Sequence, residues 1–243
     1  MLGHMPVYRQ FRSAITVHST ETSLPLEPLM NTVTVPTYEQ VSPANQAIFD
    51  SMKKKFGFVP NLFATFAHSE TALATYLALQ NAKSSLSPKA REVINLVVSQ
   101  VNHCAYCLAA HTAVGQMLGY TPDQILEIRA GSVSFDPRLD ALARLVRNIA
   151  LERGHADPAL LQAFFAVGWT EANLVDAIVA VGDKMISNFL HATTLVPVDF
   201  PAAPPLNSGS PRRTQEPAAS GLTMTAYLGG MGLPPGIPER RSA

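Results

Sequence analysis

The chain contains two cysteines, and they stand in one short segment, Cys104-Ala105-Tyr106-Cys107-Leu108-Ala109-Ala110-His111, with Glu92 twelve positions before the first. A framework of structural disulfides would need more cysteines spread along the chain, so a lone Cys-x-x-Cys pair points to redox or metal chemistry. On a helix turning about 100° per residue, Cys104, Cys107 and His111 fall within roughly 60° of one another and form one stripe. Positions three apart have Cα atoms about 5 Å apart, inside the window of about 4.4–6.8 Å that a disulfide needs. Such a pair can close and open with little backbone movement.

Reactivity needs a thiolate, and an ordinary thiol with a pKa of about 8.5 is only about 3% ionised at neutral pH. Asn102 or His103 is placed to end one helix, which would put Cys104 near the next helix N-terminus, where unpaired N–H groups favour negative charge. Lowering the pKa by about two units gains only a few-fold in rate, because nucleophilicity falls with basicity. General acid help to a leaving oxygen is typically worth about 10²–10⁴, so a proton relay is expected to matter more than ionisation.

Glu92, Cys104, Cys107 and His111, read as Glu-x11-Cys-x2-Cys-x3-His, resemble the alkylhydroperoxidase D-like proteins of the carboxymuconolactone decarboxylase superfamily. The resemblance runs from about Pro36 through the FGFVPNLF stretch (56–63) to about Pro201. It implies an all-α helical bundle and thiol-dependent hydroperoxide reduction, with Cys107 as the attacking sulfur and Cys104 as its resolving partner. It further implies that Glu92 and His111 form the proton relay, usually through a bound water, and that protomers assemble as homotrimers or higher symmetric oligomers such as hexamers. The oxidised pair would be restored by a dithiol reductant, a lipoyl-bearing or other thiol redox protein. The resemblance calls for no cofactor and no metal. One position departs from it: the family has a second histidine directly before the second cysteine, where this chain has Tyr106. A phenol with an ordinary pKa near 10 donates a hydrogen bond but is a poor base at neutral pH, so Tyr106 enters as a candidate relay member.

Each candidate has a plainer alternative. Cys107 suits a small buried hydrophobe, Glu92 a solvated helix face, His111 a satisfied core histidine and Tyr106 a packing aromatic. His103 lies about 100° from Cys104 on a helix and falls off the reactive stripe. His191 closes the last core helix, and Trp169, between two helices, reads as structural. Two other functions compete with peroxide reduction: a thiol–disulfide oxidoreductase, which the Tyr106 departure favours, and a non-enzymatic module holding zinc on Cys104, Cys107, His111 and Glu92. Against the module, three ligands along one helix span about 10 Å, wider than a tetrahedral site prefers. Lactone decarboxylation, the chemistry of other superfamily members, does not rest on a thiol pair.

The elements that must position these residues read as helices. Cap-proline steps open segments at Ser42-Pro43, Ser87-Pro88 and Thr121-Pro122, and Gly57 and Gly119 supply stops. Helices are expected at about 42–57, 69–84, 87–101, 104–118, 122–131, 137–153, 158–167 and 170–193, with no comparable strand pattern. Residues 1–35 read as a disordered leader, 36–200 as the helical domain, and 201–243, rich in Pro, Gly and Ser, as a disordered tail. Eighteen basic residues balance eighteen acidic ones, which excludes a basic field for nucleic acid or an anionic membrane. No apolar run suits a membrane span or a secretory signal, so a cytoplasmic protein is expected. Replacing Glu92 or His111 is expected to slow turnover with little change in stability, since their assigned task is to move protons.

Overall fold

Five helices open with the same device, a capping side chain followed by proline at the first turn. Ser42 accepts the N–H of Asn45, Ser87 that of Ala90, Thr121 that of Gln124, Asp136 those of Arg138 and Leu139, and Asp157 that of Ala159. Proline fixes φ near its helical value and lacks the N–H that a first turn would leave unpaired, so the step both starts the helix and sets its phase. In this computed structural model, which describes residues 33–206, nine α-helices follow: α1 Pro43–Phe56, α2 Asn61–Phe66, α3 Ala72–Gln80, α4 Pro88–Val101, α5 Ala105–Met117, α6 Pro122–Ala130, α7 Pro137–Leu151, α8 Pro158–Ala166 and α9 Glu171–Thr194. No strand occurs among the described residues. The all-α expectation holds.

Helix α4 is the hub and packs against α5, α6, α7 and α9. Its Val93, Ile94, Leu96, Val97 and Val98 are fully buried with Leu142 and Leu145 of α7 and Phe164 of α8, forming the main core. Trp169 stacks on Phe164 and donates its indole N–H to the Arg138 carbonyl at 2.9 Å, the structural role expected of it. A second cluster joins Ile48, Phe49, Met52 and Phe56 of α1, Leu62 and Phe66 of α2, and Leu73 and Tyr76 of α3 to Cys104, Tyr106 and Cys107. The thiols therefore sit on the inner edge of this smaller cluster.

Two elements differ from expectation. The third helix is shorter than 69–84, because its last turn is closed by Arg91, whose guanidinium donates to the Gln80 carbonyl at 2.6 Å. Helix α2 has no local cap: Pro60 precedes it, and the N–H of Asn61 is bound instead by Asp199 Oδ2 at 2.7 Å, from 138 residues away. The segment after α9 thus returns across the fold, with Val196 buried and Phe200 edge-on to Phe58 and Tyr106. It stays attached past Pro201, since Arg129 donates to the Pro204 carbonyl at 2.6 Å. The expected leader, apart from residues 33–35, and the expected tail beyond 206 lie outside the described residues.

Helix α9 is amphipathic with the unusual sense. Its inward face carries Asn173, Asp183, Lys184, Ser187, Asn188 and His191, all buried, while Val175, Ile178, Val179, Ile186 and Phe189 face outward, Val175 at 62% and Phe189 at 57% exposure. No helix among the described residues is long and apolar enough to cross a membrane.

Candidate active site

The thiols are fixed by the joint between α4 and α5. Helix α4 ends in a Schellman motif: the N–H of His103 binds the Gln100 carbonyl at 3.2 Å, and that of Cys104 reaches back to the Ser99 carbonyl at 3.0 Å. His103 takes the left-handed conformation such a stop requires, at φ 52°, a position usually given to glycine or asparagine. Its side chain is exposed and plays no part in the site. Cys104 then serves as N-cap of α5, with extended backbone and its sulfur accepting the N–H of Cys107 at 3.3 Å. The stripe expected of one continuous helix is accordingly corrected: Cys107 and His111 lie on α5, and Cys104 stands just before it.

Both sulfurs are buried, with 1% of Cys104 and 3% of Cys107 exposed, but their protonation differs. The interaction between the two sulfurs is the largest influence on each: it raises the Cys104 thiol well above its ordinary value and lowers Cys107. Burial opposes the Cys107 thiolate, while the charge of Lys184, the nearby His111 and the amide of Asn188 support it, bringing its pKa to about 6. The far-ultraviolet thiolate absorbance of the reduced protein should therefore show one sulfur titrating near pH 6 and the other silent through neutrality. A folded pKa held below the ordinary thiol value contributes stability that is fully present above that ordinary value, is lost as pH falls, and is absent below about 6.

Glu92 and His111 meet as expected. The Glu92 Oε1 to His111 Nδ1 distance is 2.8 Å, both side chains are buried, and Asn95 donates to the other carboxylate oxygen at 3.0 Å. Sequence reasoning missed the next partner: Lys184 of α9, 2% exposed, places Nζ 2.8 Å from His111 Nε2. With a carboxylate on Nδ1 and an ammonium on Nε2, the imidazole is the neutral Nδ1–H tautomer, donating to Glu92 and accepting from Lys184. The result is a buried chain, carboxylate to imidazole to ammonium, in which the two end charges offset each other. Asn188 was missed as well; it accepts from Asn102 at 2.9 Å and donates to Ser99 at 3.3 Å, tying α9 to the end of α4. The available signal was the pair Asp183-Lys184 within an apolar stretch, since buried charges persist only with partners.

Tyr106 does not join this chain. Its hydroxyl accepts the N–H of Leu62 at 3.2 Å, its ring packs against His191 and Phe200, and burial with the nearby Asp199 pushes its phenol far above the ordinary value. Of the two readings the sequence left open, relay member and packing aromatic, these contacts are those of an anchored aromatic, since successive helical positions point about 100° apart. His191 likewise ends beside Tyr106, its pKa lowered by burial. Tyr106→Phe should leave thiol oxidation rates unchanged but strip the Leu62 N–H of its partner, costing about 1–3 kcal/mol in denaturant unfolding. Among the described residues, no group of three His, Cys, Asp or Glu side chains converges to hold a metal, and Lys184 occupies the imidazole nitrogen that a metal would need.

The carboxymuconolactone decarboxylase family model matches residues 67–148, a span that includes Glu92, both cysteines and His111. Among solved structures, the alkylhydroperoxidase AhpD core of an uncharacterized peroxidase-related protein from Ralstonia eutropha JMP134 is 22% identical, covering 68% of this chain and 90% of its own, with a TM-score of 0.62. An uncharacterized peroxidase-related protein from Silicibacter sp. TM1040 is also 22% identical, over 70% of this chain and 92% of its own, at a TM-score of 0.60. The debrominase Bmp8, solved as a cysteine-to-alanine variant with 2,3,4-tribromopyrrole, is 14% identical over 69% of this chain and 91% of its own, at 0.58. No curated protein matches the sequence. These likenesses establish a shared fold, and the family match falls on the segment that carries the motif. Residues 67–148 thus match the carboxymuconolactone decarboxylase family, and the helical fold around them is that of the alkylhydroperoxidase D-like structures.

Proposed function

We propose that this protein reduces hydroperoxides through the Cys104–Cys107 pair. What supports the reading is the Cys104 sulfur seated on the Cys107 N–H, in surroundings that favour a thiol at Cys104 and a thiolate at Cys107, together with the buried Glu92–His111–Lys184 chain. The Cys107 thiolate attacks the outer oxygen of ROOH; an S–O bond forms, the O–O bond breaks, and the sulfur becomes a sulfenic acid. The departing RO⁻ takes a proton and leaves as an alcohol. The Cys104 thiol then attacks the sulfenic sulfur, the S–S bond forms, and hydroxide leaves with the thiol proton as water. A dithiol, such as a lipoyl-bearing or other thiol redox protein, reduces the disulfide by exchange and is itself oxidised. Glu92 and His111 belong to the buried chain that supplies the proton these steps require.

A thiol–disulfide oxidoreductase is the second reading, favoured by one observation: Tyr106 is engaged with Leu62 and supplies no second relay group. We further propose that the outward apolar face of α9 packs against other copies of the chain, since Val175 and Phe189 leave an uncovered apolar stripe. The reading is tested by mixing reduced protein with one equivalent of an alkyl hydroperoxide under anaerobic conditions. One alcohol should form for every two thiols lost, whereas oxidation by a small disulfide alone would select the second reading.

A further inference from the structure

The relay as the sequence suggests it has a gap. Both nitrogens of His111 are taken, Nδ1 by Glu92 and Nε2 by Lys184, each at 2.8 Å. The imidazole therefore cannot hand a proton directly to an oxygen leaving Cys107, and the next member of the chain is the ammonium of Lys184. That ammonium is buried, projects from the polar inward face of α9, and acts electrostatically on both sulfurs. The titratable groups around this site are His111 and Glu92 from α5 and α4, Cys104 and Cys107 from the α4–α5 joint, Tyr76 from α3, and Asp183 next to it on α9. Lys184, hydrogen-bonded to His111, carries a transferable proton, and its charge bears on the Cys107 sulfur.

We propose, resting on the hydroperoxide reading, that Lys184 is the proton donor of the reaction: it is the counter-ion of the Cys107 thiolate and gives its proton to the oxygen that leaves when the O–O bond breaks. The balance closes. Thiolate, Cys104 thiol, charged Lys184 and ROOH become disulfide, neutral Lys184, ROH and water. A dithiol reductant then returns one proton to Cys104 and one to Lys184, leaves Cys107 as thiolate, and becomes a disulfide. His111, held as the Nδ1–H tautomer by Glu92, positions the amine and accepts its hydrogen bond in either state. The negative charge on Cys107 and the positive charge on Lys184 thus appear and vanish together, which avoids leaving a single charge buried in the oxidised protein.

Two oxidants and two variants test this. An alkyl hydroperoxide expels a strongly basic alkoxide and needs an acid, whereas a peracid expels a weakly basic carboxylate and does not. Arginine keeps the positive charge but does not release a proton at accessible pH. Lys184→Arg should keep the low-pH thiolate absorbance step yet oxidise at least about 10²-fold more slowly with the alkyl hydroperoxide, against less than about five-fold with the peracid. Lys184→Met should show the same selectivity and also move the thiolate step to higher pH. Equal losses with both oxidants in Lys184→Arg, or parent-like rates with the alkyl hydroperoxide, would overturn the assignment while leaving the peroxidase reading intact. A parent protein inert to alkyl hydroperoxide would instead refute the peroxidase reading and the donor role with it.

Discussion

Cys107→Ser is expected to abolish hydroperoxide reduction, while Cys104→Ser reacts once and stops. A serine hydroxyl at 107 has no accessible anion at neutral pH, so neither Lys184 nor the α5 N-terminus can recover a nucleophile there. Serine at 104 preserves the structure around it: it is a preferred N-cap, and its oxygen can accept the Cys107 N–H that the sulfur accepts now. The Cys107 sulfenic acid should then persist and be trapped by a dione reagent, with one equivalent of hydroperoxide consumed and no turnover. Trapping at 104 in the Cys107→Ser variant, with none at 107 in the other, would reverse the two roles.

Glu92→Gln should be costly in two ways. The substitution leaves the buried Lys184 charge without its distant carboxylate, and breaking a buried pair from one side costs about 3–5 kcal/mol. The sequence alone suggested little effect on stability because it could not show that Glu92 is 3% exposed and joined through His111 to a buried lysine. Turnover should fall by about 10²–10³, since the neutral amide no longer fixes the imidazole tautomer that receives Lys184. Adding Lys184→Met to Glu92→Gln removes the buried charge and should recover part of the lost stability, but none of the turnover. Strict additivity in that double-mutant cycle would mean that the two ends of the chain are uncoupled.

What could be read from the sequence was what is local. Cap-proline pairs such as Ser87-Pro88 and Thr121-Pro122 announced their helices because the cap, the fixed φ and the first turn lie within four residues. Gly57, at φ 83°, marked the end of α1 for the same reason. Helix α2 was not visible because its capping oxygen belongs to Asp199, far along the chain. The Glu92, Cys104, Cys107 and His111 set was legible through its spacing, and the structure brings Glu92 to His111 and Cys104 to Cys107. Lys184 and Asn188 were not, because α9 turns its polar face inward, and periodicity shows that a helix has two faces without showing which one meets the core. For Tyr106 the sequence left relay member and packing aromatic both open, and adjacency to Cys107 means divergence on a helix, where its hydroxyl meets the Leu62 N–H.

The most direct test of the central claim is stopped-flow mixing of fully reduced protein with an alkyl hydroperoxide, coupled to quenched mass spectrometry of the peptide that spans Cys104 and Cys107. The account predicts that a Cys104–Cys107 disulfide accumulates as fast as, or just behind, hydroperoxide loss, one bond per peroxide, and disappears on addition of a dithiol. Consumption of hydroperoxide with both thiols still free, or two free thiols after prolonged exposure, would contradict it.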